Sequence, residues 1–514
     1  MSKIFYLKYL KKRRLKPAAT NNFTKEIQRV LFFCFLLFLS ACAVNPVTGQ
    51  KEFMLMSEQM EVDWSNSVYP NAVWGEVGGG GRYYDPELER YLSQTVNKLN
   101  AVSHRSNLPV DFIIQNSSVP NAWAIPGHVA MTRGLVANLE NEGQFAFVMG
   151  HEMGHVAARH SAAQISRSIL VQVGLVAAGI ALENKKNAEW ILGAGAIGAN
   201  LFLLKYSRDQ ELQADRLGTL YMANTGYDPN ESITAHYRLD KVVDEYLKMV
   251  GKQSREATFL NELLTTHPPT KDRVATIKET IRTMQPYQRS GDGKNAHTFQ
   301  QMTARIKRSH IAYLWYDVAL KKYREDRTAD AEYNLNQAFQ IDGNQSPFYN
   351  LRGLIELKKN RIYEARTNFS RAIDIDRNYQ PAYHSMGFSY YLERNYQTAL
   401  SYLNKSLEIY PDNIASHYFA GMSYYRLKDY ENTAKHLEPF ASANSKHNEI
   451  HGILGICYEQ TDDKESAYQE YRKQIEVAPN SELGRHAAER MSALEQIFKK
   501  EKEEKEKEKK KKKK

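Results

Sequence analysis

Cysteine is almost missing from this chain of 514 residues, which has only Cys34, Cys42 and Cys457. So few thiols exclude a disulfide-stapled scaffold. Long hydrophobic runs are also lacking. Val30–Leu39 (VLFFCFLLFL) gives ten apolar residues in a row, half of the roughly 20 needed to cross a bilayer as a lone helix. The glycine-rich stretch Gly75–Gly81 is not followed by Gly-Lys-Ser/Thr, which excludes a phosphate-binding loop. Positive charge is in excess, at +10, but much of it sits in Lys8–Lys16 and in the lysine run that closes the chain. Neither is a basic patch interleaved with aromatic residues, and the sequence has no nucleic-acid-binding module, so no nucleic-acid partner is expected. What remains is ordinary for a soluble protein, 42% apolar and 25% charged, in a chain long enough for two or three domains.

The N-terminus reads as an address. Basic residues up to Arg29 precede the apolar run, and the run ends in Leu39-Ser40-Ala41-Cys42. This order has the pattern of a secretory signal, and the tetrapeptide resembles the lipobox of bacterial lipoproteins. The resemblance implies that residues 1–41 are a signal peptide, cleaved before Cys42, and that the Cys42 thiol is acylated. Ala43 follows, with no aspartate there to suggest retention in an inner membrane. The expectation is a lipoprotein anchored in the outer membrane and facing the periplasm. Cys457 lies in an apolar helical pattern and reads as a small core residue.

Beyond the address the chain divides in two. A helix is expected from near Ser57, and another opened by Asp85-Pro86, a cap residue with proline in the first turn. The glycines between them read as a flexible connector. Strand signals cluster at Val110–Gln115, Trp123–Ile125 and Val129–Thr132, predicting a small sheet, and helices dominate from Glu142 to about Met284. Two apolar segments, Ser168–Leu182 and Trp190–Leu204, are each interrupted by glycine and read as a hairpin buried over the active site rather than a membrane span. In the second half Gly353, Gly387, Gly421 and Gly455 stand 34 residues apart. Ala365, Ala399 and Ala467 lie twelve residues after their glycines, with Thr433 in the fourth place. Ala319 and Ala331 place a degenerate repeat before these, starting near Ile311. The period resembles the tetratricopeptide repeat, a helix pair whose stack offers a concave surface to peptides or proteins. The closing run, with no apolar residue after Phe498, has too little to bury and reads as a charged tail, disordered or solvated and partly helical.

The chemistry is concentrated in two segments. Phe145–Ala163 (FAFVMGHEMGHVAARHSAA) contains His151-Glu152-x-x-His155. On a helix, residues i and i+4 share a face, so His151 and His155 can grip one metal ion, with Glu152 placed to act on a water beside it. Downstream, Glu211 and Asp215 share a second helical face. Glu211 completes a His₂Glu set with one position left open, as a catalytic zinc requires, and Asp215 is placed to hold a ligating histidine from behind. His160, nine residues past His151, would point elsewhere on a continuous helix and is left out.

These two segments resemble the zincin family that contains HtpX-type heat-shock proteases and CAAX prenyl endopeptidases, which pair His-Glu-x-x-His with a downstream Glu-x-x-x-Asp. CAVNPVTGQ after the lipobox, NAWAIPGHVAMTRGL and THPPTKDR resemble its periplasmic lipoprotein branch. The resemblance implies a gluzincin-type α+β peptidase domain with a small sheet, one Zn²⁺ held by His151, His155 and Glu211, and Glu152 as catalyst. It also implies that His267 lies near the metal, as a fourth ligand or as a gate, with Arg273 beside the site. The strand pair Asn121–Thr132 resembles the family's edge strand beside the zinc, to which an extended substrate would add. A single glycine, Gly127, stands where relatives often have two.

The expected molecule is therefore mainly α. Residues 42–290 would form the peptidase domain, 305–495 an all-α tetratricopeptide-repeat solenoid, and 496–514 the tail. Its expected function is a zinc metalloendopeptidase acting on misfolded outer-membrane proteins, with the repeats recruiting substrates or the outer-membrane assembly machinery. The competing expectation is a repeat-based chaperone or scaffold whose zinc site is gated or inactive.

Overall fold

The computed structural model describes residues 42–75, 80–181, 206–250 and 271–511. The chain splits into two compact units. One comprises Met1–Ala72, Asp85–Ile114 and Val119–Thr303, and the other comprises Val73–Tyr84, Gln115–Ser118 and Ala304–Lys514.

The described part of the first unit opens at Cys42. β1 (Cys42–Val44) pairs antiparallel with β2 (Lys51–Phe53), Cys42 opposite Phe53. Asn45 builds the turn between them, its side chain accepting from the Val47 amide at 2.9 Å. α1 (Glu58–Trp74) and α2 (Pro86–Ala101) follow. α2 starts as its sequence predicts, with Asp85 accepting from the Leu88 amide at 3.2 Å and Pro86 in the first turn. Its apolar residues Leu88, Leu92, Val96 and Leu99 are buried at helical spacing.

β3 (Asp111–Gln115), β4 (Ala122–Ile125) and β5 (His128–Thr132) form a sheet in the order β3–β5–β4. β4 and β5 are an antiparallel hairpin closed by Pro126-Gly127, with Ile125 opposite His128. Gly127 has φ +90°, the left-handed value that the residue after proline needs in such a turn. β4 ends the sheet among the described residues and packs on the helix that carries the His-Glu-x-x-His motif.

After α3 (Arg133–Val136), α4 (Glu142–Ala157) is the central helix of the unit, buried at every position except Val156. α5 (His160–Ala181), α6 (Arg208–Asn224), α7 (Glu231–Val250) and α8 (Lys271–Thr283) complete the unit. The second expected apolar segment, 190–204, lies outside the described residues. Among the described residues no helix is long and apolar enough to cross a membrane.

α9 (Ala296–Arg324) follows. The second unit then continues as helix pairs: α9 with α10 (Thr328–Ile341), α11 (Ser346–Lys358) with α12 (Ile362–Ile375), and α13 (Gln380–Leu392) with α14 (Tyr396–Ile409). α15 (Ile414–Arg426) with α16 (Tyr430–Ala443) and α17 (Ile450–Gln460) with α18 (Lys464–Val477) continue the series, and α19 (Glu482–Lys511) closes it.

The repeating glycines sit where paired helices cross. A Cβ on Gly387 would lie 2.7 Å from Leu403 Cγ, and one on Gly455 2.4 Å from Tyr471 Cδ1. Ala365, Ala399, Thr433 and Ala467 are fully buried, and the carbonyls of Ala365 and Ala399 lie 3.0 Å from where a Cβ on Gly353 and Gly387 would fall. Each turn within a pair carries a non-glycine residue with positive φ: Asp326, Asn360, Arg394, Lys428 and Asp462. These also stand 34 residues apart, so the degenerate repeat makes the same turn as the others. Cys457 is fully buried among Met422, Leu437 and Ile453, and burial pushes its thiol up to about 12.

One expectation changes: Gly80 and Gly81, read as part of a flexible connector, are packed. Both amides bond the Val73 carbonyl, and Gly81 accepts from the Asn116 amide at 2.8 Å. The charged closing run, read as disordered or solvated and partly helical, is helical through Lys511. Glu501 and Lys505, and Glu503 and Lys507, stand at the i, i+4 spacing that supports an exposed helix.

Candidate metal centre

α4 and α6 cross so closely that their backbones touch. A Cβ on Gly150 would lie 3.1 Å from Gly218 Cα, and one on Gly218 only 2.7 Å from the His151 amide nitrogen. Gly154 meets Ala214 in the same way, at 3.2 Å from its carbonyl oxygen. Asn141 caps α4 at the Gln144 amide. Ser207 and Gln210 close a reciprocal capping box on α6, which fixes where Glu211 begins the buried face.

This crossing presents three donors to one point. His151 Nε2 and His155 Nε2 lie 3.1 Å apart. Glu211 Oε1 is 3.3 Å from His155 Nε2, and Oε2 is 3.7 Å from His151 Nε2. Among the described residues this is the one group of three or more His, Cys, Asp or Glu side chains able to share an ion. All three are buried, and Glu152, on the same helix, is 7% exposed.

Around the donors is a shell of partners. Asp215 Oδ1 accepts from His151 Nδ1 at 2.9 Å. Arg273, on α8, donates from Nε and Nη2 to Asp215 at 2.7 and 2.6 Å, and its Nη1 stands 3.1 Å from Glu211 Oε2. The Tyr206 ring stacks on His155 with centroids 3.9 Å apart.

The sequence profile of peptidase family M48 matches residues 86–281, and that of the tetratricopeptide repeat matches 346–379, 380–413 and 449–481. The chain carries an M48 peptidase domain followed by tetratricopeptide repeats. Over 252 residues it is 28% identical to the mitochondrial metalloendopeptidase OMA1 of Schizosaccharomyces pombe, covering 48% of this chain and 68% of that protein. It is 30% identical over 217 residues to a putative beta-barrel assembly-enhancing protease of Vibrio cholerae (39% of this chain, 41% of that one). The corresponding protease of Yersinia pestis is 26% identical over 210 residues, covering 40% and 41%. The matches thus span about two fifths of the assembly-enhancing proteases. Among solved structures, the repeat protein YrrB aligns with a TM-score of 0.30 at 17% identity, over 37% of this chain and 97% of that one.

The donors of the M48 domain fit a zinc ion. Tetrahedral zinc with ligands at 2.0–2.1 Å separates neighbouring donor atoms by about 3.3 Å, and the three edges here are 3.1, 3.3 and 3.7 Å. Burial drives His155 well below its ordinary pKa against the pull of Glu211, so it stays neutral, as a ligand must. Burial would raise Asp215, but the hydrogen bonds and charge of Arg273 outweigh it and hold the carboxyl well below its usual range. An ionised Asp215 can only accept. It therefore fixes the His151 proton on Nδ1 and turns the Nε2 lone pair toward the other donors.

Of the expected residues, the structure gathers His151, Glu152, His155, Glu211, Asp215 and Arg273. Arg273, expected among the catalytic residues, engages both the Asp215 and the Glu211 carboxylates. His267 lies outside the described residues. Cys42 is the first residue of β1, far along the chain from the M48 profile match.

Sequence reasoning passed over four neighbours: His160, Gln213, Tyr206 and His236. His160 was projected along a continuous helix, but α4 ends at Ala157 and Arg159 takes φ +57°. The chain turns back there and brings His160 Nδ1 to 2.8 Å from His155 Nδ1. Gln213 could have been found, since it lies between Glu211 and Asp215. His236, on α7, places Nε2 3.5 Å from Asp215 Oδ1, and nothing in its local sequence points there.

Proposed function

We propose that this chain is a zinc-dependent metalloendopeptidase of the bacterial periplasm, cleaving misfolded or stalled outer-membrane proteins. In this reading residues 42–290 are the peptidase domain and 305–495 the repeats that recruit substrates or assembly partners. Acylation of Cys42, after removal of residues 1–41, ties the enzyme to the outer membrane. The observation that carries the proposal is the convergence of His151, His155 and Glu211 beside Glu152 in a buried M48 site. The resemblance to beta-barrel assembly-enhancing proteases supports the choice of substrate.

His151, His155 and Glu211 would hold the ion, which supplies Lewis acidity toward the scissile carbonyl and toward a water at the open position. Glu152 takes the proton of the attacking water and later delivers it to the leaving amine. Asp215 and Arg273 keep His151 and Glu211 in place. β4, last in the sheet order, offers its backbone to an extended substrate. The low exposure of Glu152 and of the donors supports a second reading, a site gated shut at rest, with His267 as fourth ligand or gate and the repeats acting as a chaperone.

The test compares wild type with Glu152→Gln. Both are expected to hold one zinc per chain, and the variant should cleave an unfolded outer-membrane protein at least a hundredfold more slowly, within the roughly 10²–10⁴ range for loss of a general base. Equal zinc content with equal or absent cleavage in both would exclude the protease reading and favour the gated scaffold. Palmitate labelling of wild type but not of Cys42→Ser is the expected sign of the anchor.

A further inference from the structure

His155 is held by a second hydrogen-bond chain, independent of the one through Asp215. His155 Nδ1 meets His160 Nδ1 at 2.8 Å, and His160 Nε2 meets Gln213 Oε1 at 2.9 Å. A neutral imidazole has one donor nitrogen and one acceptor nitrogen, so the end of this chain dictates every proton along it. The Gln213 carbonyl oxygen only accepts, so His160 carries its proton on Nε2 and presents a lone pair at Nδ1. His155 must then place its proton on Nδ1, which leaves the Nε2 lone pair facing His151 Nε2 and Glu211. Reversing the chain would put the His155 proton on Nε2, where it would block a ligand bond.

The geometry is built for this. His155 and His160 are 1% and 3% exposed, so water does not compete for their nitrogens. Gln213 lies on α6 between Glu211 and Asp215, so the helix that supplies one donor also supplies both ends of the shell: Asp215 behind His151, and Gln213 behind His155 through His160. Tyr206 stacks on His155 and is bonded to Ser161 Oγ at 3.0 Å, which limits tilting of the ring.

We infer that Gln213 and His160 are positioning residues that set the tautomer of His155, so that the carbonyl of Gln213 prepares the second histidine for the metal. This rests on the zinc reading above.

The test uses the full chain stripped of metal. Zinc affinity is measured by chelator competition, coordination by the absorption spectrum of the Co²⁺-substituted protein, and folding by the thermal midpoint without metal. Gln213→Leu removes the terminal acceptor and is expected to weaken zinc binding by about 10–100-fold, the usual effect of losing such a partner. Gln213→Glu keeps an acceptor and should retain wild-type affinity within about threefold, along with the wild-type cobalt spectrum, a rescue that depends on hydrogen-bond polarity. His160→Phe should match or exceed the loss in Gln213→Leu. Because the Phe variant is the more disruptive to the core, the Leu and Glu pair at half-buried Gln213 decides the matter if it fails to fold. Unchanged zinc affinity and cobalt spectrum in Gln213→Leu would overturn the inference, as would equal weakening in Gln213→Glu and Gln213→Leu. If wild type and His151→Ala bind zinc equally poorly, the zinc reading itself falls and the inference with it. Specific binding by wild type with an unaffected Gln213→Leu removes the inference alone.

Discussion

The two units use glycine at helix crossings to different ends. In the M48 domain, Gly150 and Gly218 face each other, so α4 and α6 meet backbone to backbone with the His151 amide in the contact. In the repeats, each glycine faces a large side chain: Phe369 for Gly353, Leu403 for Gly387, Leu437 for Gly421 and Tyr471 for Gly455. A backbone cannot move aside without moving the helix, whereas a leucine or tyrosine can rotate. The first arrangement holds the two helices that carry the donors at one fixed spacing. The second sets how helices stack and carries no chemistry.

Three substitutions or conditions press on that contrast. Gly218→Ala should be the most damaging, because the new methyl falls 2.7 Å from a backbone nitrogen of the donor helix. We expect a loss of about 2–3 kcal/mol in the first unit, together with zinc binding weakened at least tenfold, both read by thermal unfolding and chelator competition. Wild-type affinity in a folded Gly218→Ala protein would show that the crossing does not set the donor geometry.

Gly387→Ala should cost about 1 kcal/mol. Crowding against Leu403 Cγ at 2.7 Å and the Ala399 carbonyl at 3.0 Å is partly offset by the roughly 1 kcal/mol better helix propensity of alanine. Metal content should not change. A repeat variant that lost its metal would end the division of labour drawn here.

The smallest effect is with acid. Burial pushes His384 and His436 down to about 4, while the unfolded chain keeps them near 6.5. Above pH 6.5 both states hold these rings neutral and the repeats have their full stability. As pH falls from 6.5 toward 4 the unfolded chain binds protons that the folded repeats refuse, so stability is lost across that window, by at most about 1 kcal/mol per ring for these partly exposed groups. His384→Gln should flatten the decline in thermal midpoint between pH 7 and 4. An unchanged slope would mean that the ring is not held neutral by the fold.

The legible parts of the sequence were those with a local cause. Asp85-Pro86 starts α2 because a cap and a proline act within one turn. The sheet strands lie within a residue of their expected places because period-two patterning and Gly127 are local signals. The 34-residue period was visible in the glycines, but the left-handed turns were not, since Asp, Asn, Arg, Lys and Asp occupy them. They are held by hydrogen bonds from the residue after each turn back to the preceding helix, as from the Arg361 amide to the Glu356 carbonyl at 2.9 Å, and any residue type can be forced there. The helical end of α19 was left open between disorder and helix, because composition reports only what cannot be buried, while i, i+4 charge pairs sustain a helix without burial.

For the site, helical spacing alone paired His151 with His155 and Glu211 with Asp215, because i and i+4 share a face in any α-helix. Which carboxylate would stand behind which histidine was fixed only when Gly150 and Gly218 let the two helices touch. Likewise the sequence placed His160 five residues after His155, and a single left-handed residue, Arg159, returned it to that ring. Spacing fixes the direction of a side chain along its own helix. The partner it meets depends on where the chain turns and how closely backbones approach, and both are decided by packing between segments distant in sequence.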